Sequence, residues 1–134
     1  MIFPPTTELY MYGVFDRGIP NQERIVLKTQ NYLNLAPYGL LLTSLQVNGM
    51  ATPIPDQFFW FGETILDPHT WVYVYTGIGV HRMTKTLVTN EPAYVAHWNR
   101  SGVIFSQDFL QPTLIRIDAA VTKSSDGSLF LPAS

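Results

Sequence analysis

Three histidines, His69, His81 and His97, are the side chains in this sequence best suited to move a proton or hold a metal near neutral pH, and Asp67 and Glu91 are their candidate carboxylate partners. Their spacing matches no ligand motif: helical zinc sites use tight pairs such as HExxH, and scattered histidines are ordinarily surface or turn residues. A Ser/His/Asp relay can be drawn from Ser101 or Ser106 with His97 and Asp108, but no GxSxG nucleophile elbow accompanies it. The acidic residues are scattered mainly in turns, where solvation accounts for them better than the paired carboxylates of a glycosidase do. Thr76-Gly77-Ile78-Gly79 is a fragment of a phosphate loop without its lysine, so its glycines read as turn formers at a strand end. The first reading therefore carries no catalytic residue, no metal and no cofactor. A small hydrolase-like enzyme using His97 or His81 as acid/base is the alternative.

Binding chemistry has more to work with. Trp71, Tyr73 and Tyr75 recur at alternate positions, while His97, Trp98 and Arg100 accompany a polar segment holding His81, Arg82 and Lys85. Aromatic faces beside cations can stack on bases, on sugars or on a protein partner. Nucleic acid is disfavoured by a net charge of −2, by the absence of a polybasic run and by the lack of an aromatic repeat. A protein or a small ligand remains, set against the plain alternative that these rings only pack a core.

The elements that must position these residues read as short strands. Phe58 to Phe61 and Trp71 to Tyr75 are dense in strand formers, too short for helices and separated by a turn at Asp67 and Pro68, so they are expected as neighbouring antiparallel strands at the centre of the fold. Before them, Leu9 and Met11 alternate with Tyr10 and Tyr12 in an expected edge strand. Glu23 to Thr29 predicts a half-buried strand, Asn31 to Pro37 a loop pinning Leu33 and Leu35, and Tyr38 to Leu45 a long apolar strand closed by a turn at Asn48 and Gly49. Pro53 and Pro55 remove backbone donors, so their segment is expected to run along an edge or to cross between sheets.

After the aromatic pair, Gly77 to Pro92 is polar, bounded by Gly and Pro and weakly periodic, which predicts a mobile loop. Ala93 to Trp98 and Val103 to Phe105 are expected strands about a turn. Thr113 to Val121 alternates as another, Lys123 to Gly127 reads as a turn or a frayed linker, and the terminal SLFLPAS as a short strand or a disordered end.

About seven or eight strands without an amphipathic helix predict an all-β fold, an antiparallel β-sandwich. A chain of 134 residues fits one domain, with residues 122–134 expected to fray. Cysteine is absent, which excludes disulfides and thiolate chemistry. The start of the chain lacks the pattern of a secretory signal, and no apolar run is long enough to span a bilayer, so the expected location is cytoplasmic, away from membranes.

Taken together, ERIVLK at Glu23 to Lys28, the Asn34-Leu35 turn before Tyr38, FFWFG at Phe58 to Gly62 and the turn leading into WVYVYTGIG resemble the lamin-tail domain, with a weaker echo in AYVAHW at Ala93 to Trp98. The resemblance implies an immunoglobulin-like β-sandwich and a non-enzymatic interaction domain. It breaks at Asp67-Pro68-His69, where such domains often place glycine. The expected function is a binding or assembly module acting through an aromatic sheet face and the 77–92 segment. Its candidate site comprises Trp71, Tyr73, Tyr75, His81, Arg82, His97, Trp98 and Arg100. A two-layer fold buries one face of each sheet, so the outer aromatic face calls for a ligand, for the 77–92 loop folded across it or for a second copy, and a homodimer is expected.

Overall fold

The computed structural model describes residues 6–123 and the backbone of Leu129–Phe130. Among the described residues there is no helix, and the fold is all-β. The strands are β1 (Leu9–Phe15), β2 (Arg24–Thr29), β3 (Leu33–Asn34), β4 (Tyr38–Leu45), β5 (Ala51–Trp60), β6 (Ile65–Leu66), β7 (Trp71–Tyr75), β8 (Arg82–Lys85), β9 (Pro92–His97), β10 (Leu110–Arg116), β11 (Thr122–Lys123) and β12 (Leu129–Phe130). These twelve exceed the expected number because two-residue ladders, β3 with β6 and β11 with β12, supplement the two larger sheets. The first of the larger sheets has the order β1-β2-β7-β9-β8 and the second β10-β4-β5. All pairings are antiparallel except that of β7 with β9.

One core joins the two sheets. Ile25, Leu27, Val72, Val74, Tyr94 and Ala96 from the five-stranded sheet form a single buried cluster with Leu40, Leu42 and Phe59 from the three-stranded one. Alternation decides which side chains reach it: Val72 and Val74 point in, so Trp71, Tyr73 and Tyr75 must point out.

Several expectations are corrected. Phe58 to Phe61 and Trp71 to Tyr75 do not pair: the former ends β5, which lies against β4, and β7 is flanked by β2 and β9 in the other sheet. Between them β6 pairs with β3, and the turn is fixed by Thr29, whose hydroxyl donates to the Asp67 carbonyl (2.8 Å) and accepts from the Thr70 amide (2.8 Å). These bonds carry the chain from one sheet to the other in place of a hairpin. Gly77 to Pro92 is not one loop, because Arg82–Lys85 forms β8. Val103 to Phe105 is irregular, and the strand expected from Thr113 to Val121 runs instead over Leu110–Arg116. The prolines of β5 do lie on an edge, and β1 is the other sheet's edge. Residues 124–127 of the expected turn, and 128 and 131–134 of the expected terminal strand, lie outside the described residues.

The irregular segment between β9 and β10 is held by Glu23, which is fully buried. Its carboxylate accepts from the Gly18 amide (2.8 Å), the Thr76 hydroxyl (2.9 Å), and the amides of Ile104 (2.9 Å) and Phe105 (3.2 Å). Arg17 works from the same turn, its guanidinium donating to the carbonyls of Phe105 (3.1 Å), Gln107 (2.9 Å) and Leu110 (2.6 Å). A segment with no ladder of its own thus has its backbone groups satisfied by two side chains.

Candidate functional site

The outward face of the five-stranded sheet is built in rows set by strand register. Tyr10, Lys28 and Trp71 lie side by side across β1, β2 and β7; Phe15, Arg24 and Tyr75 form a second row, which His97 of β9 extends. Between them Val26 sits beside Tyr73 and Tyr73 beside Val95. A bulge in β1 completes the pattern. Tyr12 has no partner between Met11 and Gly13, and Gly13 takes φ 121°, which a side chain would resist. The extra residue resets the alternation, so Val14 turns in beside Ile25 and Phe15 turns out beside Arg24.

Rings and cations interlock on this face. The Lys28 ammonium stands 4.4 Å from the Trp71 ring centroid, and the Arg24 guanidinium 5.7 Å from Phe15 and 5.9 Å from Tyr75. Tyr10 and Tyr12 meet edge to face at 4.8 Å, Tyr12 reaches Trp71 at 5.4 Å, and Trp71 lies nearly parallel to Tyr73 at 6.2 Å. Val26 and Val95 point outward yet are each only 3% exposed, because the surrounding rings cover them. Both cations are paired, Arg24 with Asp16 (2.6 Å) and Lys28 with Glu91 (3.5 Å). The Thr89 hydroxyl and the Trp71 indole, with a lesser contribution from Lys28, hold Glu91 below the usual carboxylate range against the opposing effect of burial. Burial pushes the Tyr73 phenol up, Arg24 working against it and Tyr75 and Glu91 with it.

His97 closes the face at one end, stacked on Tyr75 at 5.5 Å. A Cβ on Gly79 would run into its ring, so the chain can pass there only as glycine. The His97 amide donates to Nδ1 of His81 (3.1 Å), and its Nε2 lies 3.4 Å from an Arg82 guanidinium nitrogen. Burial lowers the His97 pKa, Arg82 and His81 adding to the effect and the Gly77 carbonyl opposing it. The unfolded chain therefore takes up this proton more readily than the fold does. Stability from His97 is complete above its ordinary value of 6.5 and is lost as the pH falls through that value towards the folded one. Urea midpoints measured at pH 7.5 and 5.5 should fall further for the wild type than for His97→Gln; equal falls would show that His97 is not the group responsible.

The eight candidate residues do not form one cluster. Trp71, Tyr73, Tyr75, His97 and Arg82 share the outward face, and Arg82 sits beside Val95. The His81 ring turns toward the inner side, 6.2 Å from Phe59 and 6.3 Å from Tyr94. Trp98 is a core residue, 7% exposed, packed on Phe59 and Phe105. Arg100 lines a small cleft of 180 Å³ with Asn21, Thr76 and Gly77 at the end of the sheet. Among the described residues no hydrogen bond joins His97 to Ser101, Ser106 or Asp108, and no three of His, Asp and Glu converge as a metal site.

Tyr10, Tyr12, Phe15, Arg24 and Lys28 belong to the face and were not among the candidates. The alternation of Tyr10 with Met11 and of Arg24 with Ile25 marks them as outward residues, but only the pairing of β1, β2 and β7 brings them to Trp71. Comparison with protein-family models, with curated proteins and with solved structures gave no match.

Proposed function

We propose that the protein is a non-catalytic binding or assembly module, and that two copies meet through the outward aromatic face of the five-stranded sheet. The observation that carries this reading is the continuous row of rings on that face, in which Tyr10 and Tyr12 keep about half their surface exposed (54% and 49%). Aromatic residues with polar tips suit interfaces, because their rings are buried on association while their hydroxyls stay hydrated. Charge supports self-association too. Arg24 and Lys28 each hold a carboxylate on the same face, so a two-fold contact brings no unbalanced charge against its own copy. The 77–92 segment, the expected alternative cover, extends the sheet as β8. The lamin-tail-like, immunoglobulin-like reading belongs to the same proposal, supported by two sheets that share one core.

The acid/base alternative has less behind it. His81 and His97 do meet, but through a backbone amide, and the charged group nearest the His97 ring is the cation Arg82.

Light scattering tests the proposal. The wild type should be a dimer at micromolar concentration, and Tyr73→Glu or Tyr12→Glu should weaken the dimer by about 30-fold or more, the loss of a ring worth ~2 kcal/mol at the centre of an interface. Tyr12 is the more exposed site, so its replacement leaves the fold intact. A wild type that stays monomeric at micromolar concentration, unaffected by either substitution, would rule out this interface.

A further inference from the structure

We propose that the open edge of β8 binds an extended, acidic segment of a partner protein, which adds to the five-stranded sheet as a sixth strand. This rests on the reading of the protein as a binding module but uses the 77–92 segment and not the aromatic face.

The pairing of β8 with β9 shows which backbone groups are free to accept such a strand. The Thr86 amide donates to the Glu91 carbonyl (2.8 Å), which makes that pair a hydrogen-bonded one just beyond the ladder. Alternation along an antiparallel pair then makes Thr84 with Ala93 and Arg82 with Val95 the hydrogen-bonded pairs. Met83 and Lys85, the non-hydrogen-bonded positions, direct their amides and carbonyls away from β9, toward the open edge. Pro92 opposite Lys85 agrees with this, since a residue without an amide costs nothing there.

The other edges are blocked by their own chemistry. β5 carries Pro53 and Pro55 and a left-handed residue, Asp56 (φ 64°); β10 carries Pro112; and β1 is bent by its bulge. Arg82–Lys85 contains neither proline nor bulge, and all four residues are exposed. An open groove of about 690 Å³ runs beside it, lined by Met83, Lys85, Leu87, Asn90 and Pro92 among others.

Charge selects the occupant. Arg82 and Lys85 put two cations on four residues, and the one carboxylate between Gly77 and Trp98, that of Glu91, is engaged by Lys28. A second copy is the poorer fit: pairing β8 with itself through Met83 and Lys85 gathers two Arg82 and two Lys85 at one seam with no carboxylate on either strand. Arg82 lies on one face of the sheet and Met83 and Lys85 on the other, so a strand with carboxylates on both faces satisfies both cations, while apolar side chains on it meet Met83 and Leu87. Main-chain hydrogen bonds would supply affinity and the alternate side chains selectivity, as in other cases of strand addition.

The probe is a synthetic dodecapeptide repeating Glu-Glu-Val-Val, which places carboxylates on both faces of a strand, with blocked ends, titrated into the full chain and followed by backbone amide NMR. Saturable binding is expected, with shifts centred on β8 and with the Met83 and Lys85 amides slowed in hydrogen exchange by at least 10-fold. The lysine–valine counterpart should bind at least 10-fold more weakly. Lys85→Glu, at an exposed position, leaves Arg82 balanced by a carboxylate and should erase that preference, and Met83→Pro should abolish binding by removing the central edge donor. No binding of the glutamate peptide, shifts centred elsewhere, or a preference unmoved by Lys85→Glu would each overturn the proposal. Oligomeric state read in the same samples separates the two readings. A monomer that still binds the peptide sinks only the aromatic-face dimer, and a dimer that does not bind it sinks only the strand addition.

Discussion

Glu23→Ala should lower the free energy of unfolding by about 3–5 kcal/mol, enough to leave a domain of ordinary stability close to its unfolding threshold. The carboxylate is fully buried and takes hydrogen bonds from three backbone amides and the Thr76 hydroxyl. Alanine supplies no acceptor, so the Ile104 and Phe105 amides must find water or move, and a buried donor left unmet costs about 1–3 kcal/mol. Glu23→Gln keeps one oxygen but presents an amide to the remaining donors, and its cost should fall between those of the wild type and the alanine variant. Urea denaturation measures the totals, and hydrogen exchange at Ile104 and Phe105 should rise before global unfolding. An alanine variant with the wild-type midpoint would show that the carboxylate contributes nothing to holding this segment.

The second large effect is expected at Trp98. Trp98→Ala should cost about 3–5 kcal/mol, because the side chain fills the core between Phe59 and Phe105 and its loss leaves a cavity that a close-packed interior cannot collapse. Trp60→Ala should cost much less. Trp60 is 40% exposed on the outside of the three-stranded sheet, where it packs edge-on to Phe58 and its indole donates to the Ala36 carbonyl. Losing that contact and hydrogen bond amounts to about 1–2 kcal/mol. The two midpoints measured side by side decide the matter: a larger loss at Trp60 would reverse the assignment of inner and outer faces.

That contrast shows where reading the chain succeeds and where it stops. Tyr38–Leu45 and Trp71–Tyr75 are legible residue for residue, since apolar density, strand length and flanking turns all agree there. That Pro53 and Pro55 stay out of the middle of a sheet follows from missing amides alone, and the pairing with β4 settles on the edge. Partners are a different matter. Phe58 to Phe61 and Trp71 to Tyr75 look like a hairpin because they are neighbours in sequence, but the hydrogen bonds of Thr29 to Asp67 and Thr70 that separate them lie about forty residues apart along the chain. Without the pairing, FFWF offers two equally apolar faces, so nothing in it says that Phe59 and Phe61 go in and Trp60 goes out. β8 is hidden for the opposite reason: both its faces are exposed, and a strand with no buried side leaves no alternation to read.

The candidate site divides along the same line. Trp71, Tyr73 and Tyr75 declare a common face by spacing, and His97 joins them only because β9 lies parallel to β7. Tyr12 and Phe15 share a surface through a one-residue bulge whose only trace in the sequence is a glycine. The sequence break at Asp67-Pro68-His69 also has a backbone meaning: His69 adopts φ 61°, the left-handed region in which glycine is the usual occupant.

The parallel pairing of β7 with β9 has a consequence for the order of assembly. β9 lies between β7 and β8, so the chain leaves β7, forms β8 beyond an empty place in the sheet, and then fills that place with β9. The β8–β9 hairpin is local and can close quickly, whereas docking its inner strand against β7 requires a longer loop to be ordered first. During synthesis β7 must wait, with an unsatisfied strand edge rich in aromatic residues, until residues past His97 have emerged. That interval is when the chain is most open to pairing with the wrong strand, and a ribosome that pauses within it would lengthen the exposure.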